Sequence, residues 1–151
     1  MITEVHSEAE MKAFGQRLGS LLKGSEVIEL VGDVGAGKTT LTKGVAKGLG
    51  VDEDVQSPSF TISRVYNTAS DLRLSHYDFY RLQDAGIMAD ELQETIGEAN
   101  GITIIEWAEI VSGILPTDRL TIRIISPSES ARRIEVTAGG EKSNLLLEQI
   151  V

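Results

Sequence analysis

Gly32-Asp-Val-Gly-Ala-Gly37-Lys38-Thr39 sets glycines, a lysine and a hydroxyl at the spacing G-x-x-x-x-G-K-[ST]. Glycines at 32, 35 and 37 let the backbone curl until several N–H groups face one phosphate, where side chains would block the approach. Lys38 offers a mobile charge for the outer phosphates, and the Thr39 hydroxyl can ligate Mg²⁺. A helix that starts near Lys38 adds the positive end of its dipole. The chemistry implied is binding of a nucleoside triphosphate.

Hydrolysis or transfer needs more: a carboxylate for the metal and a group that orients the nucleophile. The apolar run Ile102-Thr-Ile-Ile105 ends in Glu106, which can reach a Mg²⁺ ion, but Trp107 stands where a second acid commonly follows. Asp78, at the end of His76-Tyr77-Asp78, is the other candidate, with a helix cap as its alternative role. Two carboxylates without a standard base imply slow hydrolysis unless something else completes the site. Ser57-Pro58-Ser59-Phe60-Thr61 lies where a switch loop can bring a hydroxyl, from Ser59 or Thr61, over the terminal phosphate. Ordinary solvated turn hydroxyls are the alternative. Trp107 reads more readily as core than as a ligand platform, and His76 as a structural strand residue rather than a base. Arg132-Arg133 is either a solvated face or a cation near the nucleotide.

These residues need strands to deliver them and helices to cover them. Ser7-Glu8-Ala9-Glu10 has the form of a capping box, opening a helix with Met11, Phe14, Leu18 and Leu21 on one face that ends near Gly24. Val27–Val31 is an apolar run that enters the glycine-rich turn, as a buried strand does. Leu41, Val45 and Leu49 mark a second helix that stops at Gly48/Gly50. Residues 60–66 and 72–78 are expected as two strands joined by a polar turn, and 84–98 as an acidic helix with Ile87, Met88, Leu92 and Ile96 inward. Residues 102–105 make a second fully apolar strand. Residues 120–125 and 133–137 form a late hairpin, and 145–151 a closing helix. The pattern predicts a single α/β domain over residues 1–151, a mixed sheet of P-loop NTPase type flanked by helices.

Composition narrows the function. The chain has 151 residues, with 14 Lys plus Arg against 23 Asp plus Glu, for a net charge of −9. Such a chain is repelled by a polyphosphate backbone, so no direct tRNA binding is expected. It has no cysteine, which excludes disulfides, thiolate catalysis and zinc–sulfur sites, and only His6 and His76 to serve a histidine metal site. The polar, acidic start is unlike a secretory signal, and no apolar run approaches a bilayer span, so the expectation is a cytoplasmic protein with no membrane partner.

Taken in order, several segments resemble the TsaE family, small bacterial P-loop ATPases needed to make threonylcarbamoyladenosine in tRNA. They are the loop from Gly32 to Thr40, Ser57-Pro-Ser-Phe-Thr61, His76-Tyr-Asp-Phe-Tyr-Arg-Leu82, Asp90-Glu-Leu92, Ile105-Glu-Trp107 and Gly-Ile-Leu-Pro116. The resemblance implies ATP and Mg²⁺ as cofactors. It places Val34, Gly35, Ala36, Gly37, Lys38 and Thr39, with Thr40 beside them, at the phosphates, and Thr39 and Glu106 at the metal. Asp78 matches an acidic residue needed for activity, which joins Lys38 and Glu106 in the expected catalytic set. Glu8 and Arg132 fall where the family brings its first helix and late hairpin to the nucleotide. The implied partners are TsaB and TsaD, with TsaD transferring the group to tRNA and this chain acting as the ATPase. A kinase and a non-catalytic nucleotide sensor are the competing readings. The first is weakened by the little chain left for an acceptor pocket and lid, and the second is suggested by the missing base.

Overall fold

The two most apolar runs of the chain become neighbouring parallel strands at the centre of one sheet, and the strand ending in Glu106 is buried along its whole length. The computed structural model describes residues 1–58 and 61–151. In chain order the elements are β1 (Ile2–Val5), α1 (Glu8–Leu21), β2 (Val27–Val31), α2 (Lys38–Gly48), β3 (Ser63–Asn67), β4 (Arg73–Asp78), α3 (Ile87–Ile96), β5 (Gly101–Glu106), a 3-10 helix over Ala108–Ile114, β6 (Leu120–Ile125), β7 (Arg132–Ala138) and α4 (Glu141–Ile150).

Among the described residues the sheet has seven strands in the order β1-β7-β6-β2-β5-β4-β3. The inner four run parallel, and β7, β1 and β3 are antiparallel additions. One face packs Ile28, Leu30, Ile102 and Ile104 against Leu18 of α1, Leu41 and Val45 of α2, and Leu146 of α4. The other packs Val27, Tyr77 and Ile105 against Leu92 of α3 and Val111 of the 3-10 helix. This is the expected α/β architecture with a mixed sheet between helices. No helix among the described residues is long and apolar enough to cross a membrane.

Several boundaries depart from the sequence reading, each for a local reason. Residues 2–5 pair with β7, with Ile2 opposite Glu135, although only Val5 of the four is buried; so short a strand leaves little pattern. The strand expected over 60–66 begins at Ser63, because Ile62 has φ +71°, outside the extended region; Phe60 lies outside the described residues. The acidic helix is shorter than expected. Asp84 Oδ1 accepts from Gly86 N–H at 3.0 Å, Gly86 has φ +53°, and α3 starts only after that turn. Ile87 is 82% exposed rather than inward, while Leu92 is buried. The closing helix begins at Glu141, four residues early. Asp118 reaches across to cap it, accepting from the backbone of Lys142 at 3.0 Å and of Ser143 at 2.9 Å. The Ser143 hydroxyl and these N–H groups hold the Asp118 carboxyl below its ordinary range.

Serine 7 caps α1 as expected, its Oγ accepting from Glu10 N–H at 3.1 Å. That helix then lies against α2 with backbone touching backbone. A Cβ on Gly15 would sit 2.4 Å from the Leu41 carbonyl oxygen, on Gly19 2.2 Å from that of Val45, on Gly44 2.3 Å from that of Lys12, and on Gly48 2.2 Å from that of Gln16. Four glycines therefore clamp the helix that carries Glu8 to the helix that carries Lys38.

Gly15→Ala should lower stability by about 1–3 kcal/mol, since only separation of the helices can make room. Gly97→Ala, where the nearest atom is a carbonyl oxygen 3.5 Å away, should be close to neutral. Urea melts of the two variants check this; equal stabilities would show that the clamp does not exist.

Candidate functional site

Strand β2 ends at Val31, and the chain turns through Gly32–Gly37 into α2. Two glycines are required by geometry. Gly37 caps α2 with φ +117°, and its missing Cβ leaves room for Met11, whose Cε would lie 3.1 Å away. A Cβ at Gly32 would lie 2.9 Å from the Ile124 carbonyl oxygen, so the loop runs directly over β6. Arg132, from β7, secures the loop on its far side by donating from Nε to the Ala36 carbonyl at 3.1 Å. It also donates to the Ser128 and Ala131 carbonyls.

Lys38 is buried at the head of α2. Its Nζ donates to the Gly32 carbonyl at 2.5 Å, lies 3.9 Å from Glu106 Oε1 and stands 4.0 Å over the Trp107 ring. Burial lowers its pKa from the usual 10.5, opposed by the charges of Glu106, Asp78, Asp33 and Glu109. Its folded pKa being below the unfolded one, the charge on Lys38 costs folding stability at neutral pH. The indole that flanks Lys38 follows Glu106 directly. Trp107 has φ +55° and ψ 52°, a left-handed conformation that costs a non-glycine residue about 1–3 kcal/mol. Tyr80, 52% exposed, packs on that indole with ring centroids 4.8 Å apart.

Sheet register brings the two carboxylates together. Asp78 is opposite Glu106 and Glu106 opposite Leu30, so β4 and β5 end level with one another, one residue before β2. Alternation along each strand puts Glu106 on the face of Ile102 and Ile104, and Asp78 on the face of Leu74, which is the face that α2 covers. Asp78 Oδ1 accepts from Tyr80 N–H at 2.9 Å, and Oδ2 from the Ser57 hydroxyl at 3.5 Å. Asp78 thus does cap the turn after β4, and it also lines the cavity. His76 Nε2 lies 2.5 Å from Glu106 Oε2.

A cavity of about 450 Å³ gathers most of the sequence-predicted residues: Glu8, Val34, Gly35, Gly37, Lys38, Thr39, Thr40, Asp78 and Glu106. An adjoining cavity of about 320 Å³ shares Glu8, Gly35, Gly37 and Thr40, and adds Ala36 and Arg132. Every residue that the family resemblance implies at the nucleotide or the metal lines one or the other. Thr61 is exposed; Ser57 is the residue from the switch-like loop that lines the cavity, and Ser59 lies outside the described residues. Sequence reasoning missed Tyr80 and the Lys38–Trp107 contact. An aromatic residue two places after Asp78 was the available signal, but only the folded chain shows where its ring goes. Among the described residues no cluster of three or more acidic or histidine side chains could hold a metal alone. Thr39, Glu106 and Asp78 are hard oxygen donors that line one cavity. Such a set fits Mg²⁺, which takes one or two protein oxygens and completes its sphere with water and substrate phosphates.

Residues 5–134 match the family model described as threonylcarbamoyl adenosine biosynthesis protein TsaE. A Bacillus subtilis protein named tRNA threonylcarbamoyladenosine biosynthesis protein TsaE is 38% identical over 141 residues, 93% of this chain and 87% of that one. The protein of that name from Streptomyces coelicolor is 36% identical over 87% of this chain and 93% of its own length. One from Aquifex aeolicus is 42% identical over 70% and 74%. The crystal structure of Bacillus subtilis YdiB superposes with a TM-score of 0.83 at 35% identity, covering 99% of this chain and 93% of the other.

Lys38→Ala should weaken ATP binding roughly 10- to 150-fold, the equivalent of the about 1.5–3 kcal/mol typical of a hydrogen bond to a charged group. Calorimetric titration checks it, and an unchanged affinity would remove Lys38 from the phosphate site.

Proposed function

This chain belongs to the TsaE family of tRNA threonylcarbamoyladenosine biosynthesis proteins, and we propose that it binds ATP with Mg²⁺ in the loop cavity and hydrolyses it. It does so as the ATPase subunit that acts on a TsaB–TsaD complex. The observation that carries this reading is the convergence of Lys38, Thr39, Asp78 and Glu106 on one cavity beside a glycine loop at a helix start.

Each residue has work that its position suits. Backbone N–H groups from Val34 to Thr39 and the N-terminus of α2 take the β- and γ-phosphates. Lys38, released from the Gly32 carbonyl, moves its charge onto the outer phosphate oxygens. The Thr39 hydroxyl and the Glu106 carboxylate hold Mg²⁺, which when bound neutralises charge on those oxygens. Asp78 stands one strand over from Glu106 and is placed to orient water toward the terminal phosphate. Glu8 and Arg132 line the adjoining cavity, which supports their contact with the nucleotide. Trp107 occupies the position where a water-activating acid would follow Glu106. Hydrolysis by the chain alone is therefore slow, and the TsaB–TsaD pair supplies the missing group or closes the site. With a net charge of −9 the chain leaves tRNA to its partners.

Thr39→Ala and Glu106→Ala should each lose more ATP affinity with Mg²⁺ present than with EDTA. Asp78→Ala should still bind ATP and lose turnover. Equal losses with and without metal would take Thr39 and Glu106 out of the magnesium sphere, and normal turnover would reduce Asp78 to a turn cap.

Phosphate release by the isolated chain should be slow and should rise when TsaB and TsaD are added. The isolated chain should not bind tRNA at about 150 mM salt, where even basic proteins bind non-specifically at only about 10⁻⁴–10⁻⁶ M. Fast release alone, no stimulation by the pair, or micromolar tRNA binding by this chain would overturn the proposal; no release under any condition would favour a nucleotide sensor.

A further inference from the structure

We infer that His76 is a positioning residue for Glu106, fixing that carboxylate in the orientation that presents its free oxygen to the cation and the phosphate loop. The inference rests on Glu106 being a magnesium ligand, as proposed above.

The geometry is specific. His76 is fully buried on β4, opposite Ile104, and thus one diagonal step from Glu106 on the same face of the sheet. Its Nε2 meets Glu106 Oε2 at 2.5 Å, while Oε1 of the same carboxylate points to Lys38 at 3.9 Å. An ionised carboxylate can only accept, so Nε2 carries the proton and donates. Nδ1 is buried and has no partner among the described residues, consistent with a bare lone pair there, since orphaned donors are the rarer case. The ring therefore spends its one N–H on Glu106. Without that donor the buried carboxylate is free to rotate its oxygens toward Lys38 or the Gly32 loop. Partners that orient metal ligands in this way are worth about 10- to 100-fold in metal affinity or activity.

Two polar replacements separate positioning from packing. The amide nitrogen of His76→Gln reaches the place of Nε2; that of His76→Asn reaches only the place of Nδ1. The measurement is the Mg²⁺ concentration needed to tighten binding of a non-hydrolysable ATP analogue, together with the analogue's affinity in EDTA. His76→Asn should raise the Mg²⁺ requirement about 10- to 100-fold, and His76→Gln should restore most of it, with affinity in EDTA the same in both. In a Glu106→Gln background, His76→Asn should add nothing further, because its effect runs through Glu106. Equal behaviour of Asn and Gln, a loss that persists without Glu106, or loss of the folded state in both variants would assign His76 to the core and overturn the inference. Failure of the magnesium reading itself looks different: the parent protein would then show no Mg²⁺ effect, or Glu106→Gln would leave the parent's Mg²⁺ requirement unchanged.

Discussion

The parallel register that sets Asp78 opposite Glu106, and Glu106 opposite Leu30, makes β4 and β5 end at one level, beside the last turn of β2 into the glycine loop. Everything chemical in the molecule is arranged on that level. Side chains alternate with period two, so a slip of one residue in β4 or β5 would exchange faces. Tyr77 and Ile105, now buried beneath α3 and the 3-10 helix, would point at the loop, and the carboxylates would enter an apolar core. The full burial of β5 makes such a slip prohibitive, and the cost of misplacing apolar residues thereby fixes two charged ones.

Above that level the loop is held by packing on both sides. Glycines 15, 19, 44 and 48 bring α1 against α2 until carbonyl oxygens occupy the places of absent β-carbons, which fixes Glu8 relative to Lys38. Gly32 lets the loop rest on β6, and Arg132 ties the Ala36 carbonyl to β7. Trp107 adds a third restraint. Its left-handed backbone turns the chain straight after Glu106, so that the indole lies under Lys38 and against Tyr80. Strain persists at a residue only where its surroundings over-determine it, and here they include both Glu106 and Lys38.

Electrostatics reconciles the acidic chain with the anion site proposed for the loop cavity. The net charge of −9 works against extended polyanions, whose many phosphates meet the whole surface. One polyphosphate in the proposed site would meet instead a small set of cations and N–H groups in a partly buried cleft, where local charges are screened least. Burial leaves Lys38 short of counter-charge, with Glu106, Asp78, Asp33 and Glu109 making up part of the deficit. Those carboxylates oppose the effect of burial on the lysine, and two of them, Glu106 and Asp78, line the cavity beside it.

The loop from Gly32 to Thr39, the strand ending in Glu106, the α/β class and the family resemblance were all legible in the residues, because each is a local pattern: a spacing, a run, an alternation. Local patterns also sufficed to name Asp78 and Glu106 as separate candidates. What they could not supply was anything that depends on strands far apart in sequence lying side by side. The His76–Glu106 hydrogen bond spans 30 residues and follows from one register; the Arg132–Ala36 bond spans 96 and follows from the order of the sheet. The outward turn of Ile87, the late start of β3 and the cap that Asp118 lends to α4 likewise came from φ angles and distant partners. Residue types and spacings set which chemistry is available to this chain. Long-range pairing decided which side chains meet, because the free energy that selects a register is shared across the whole sheet and written at no single position.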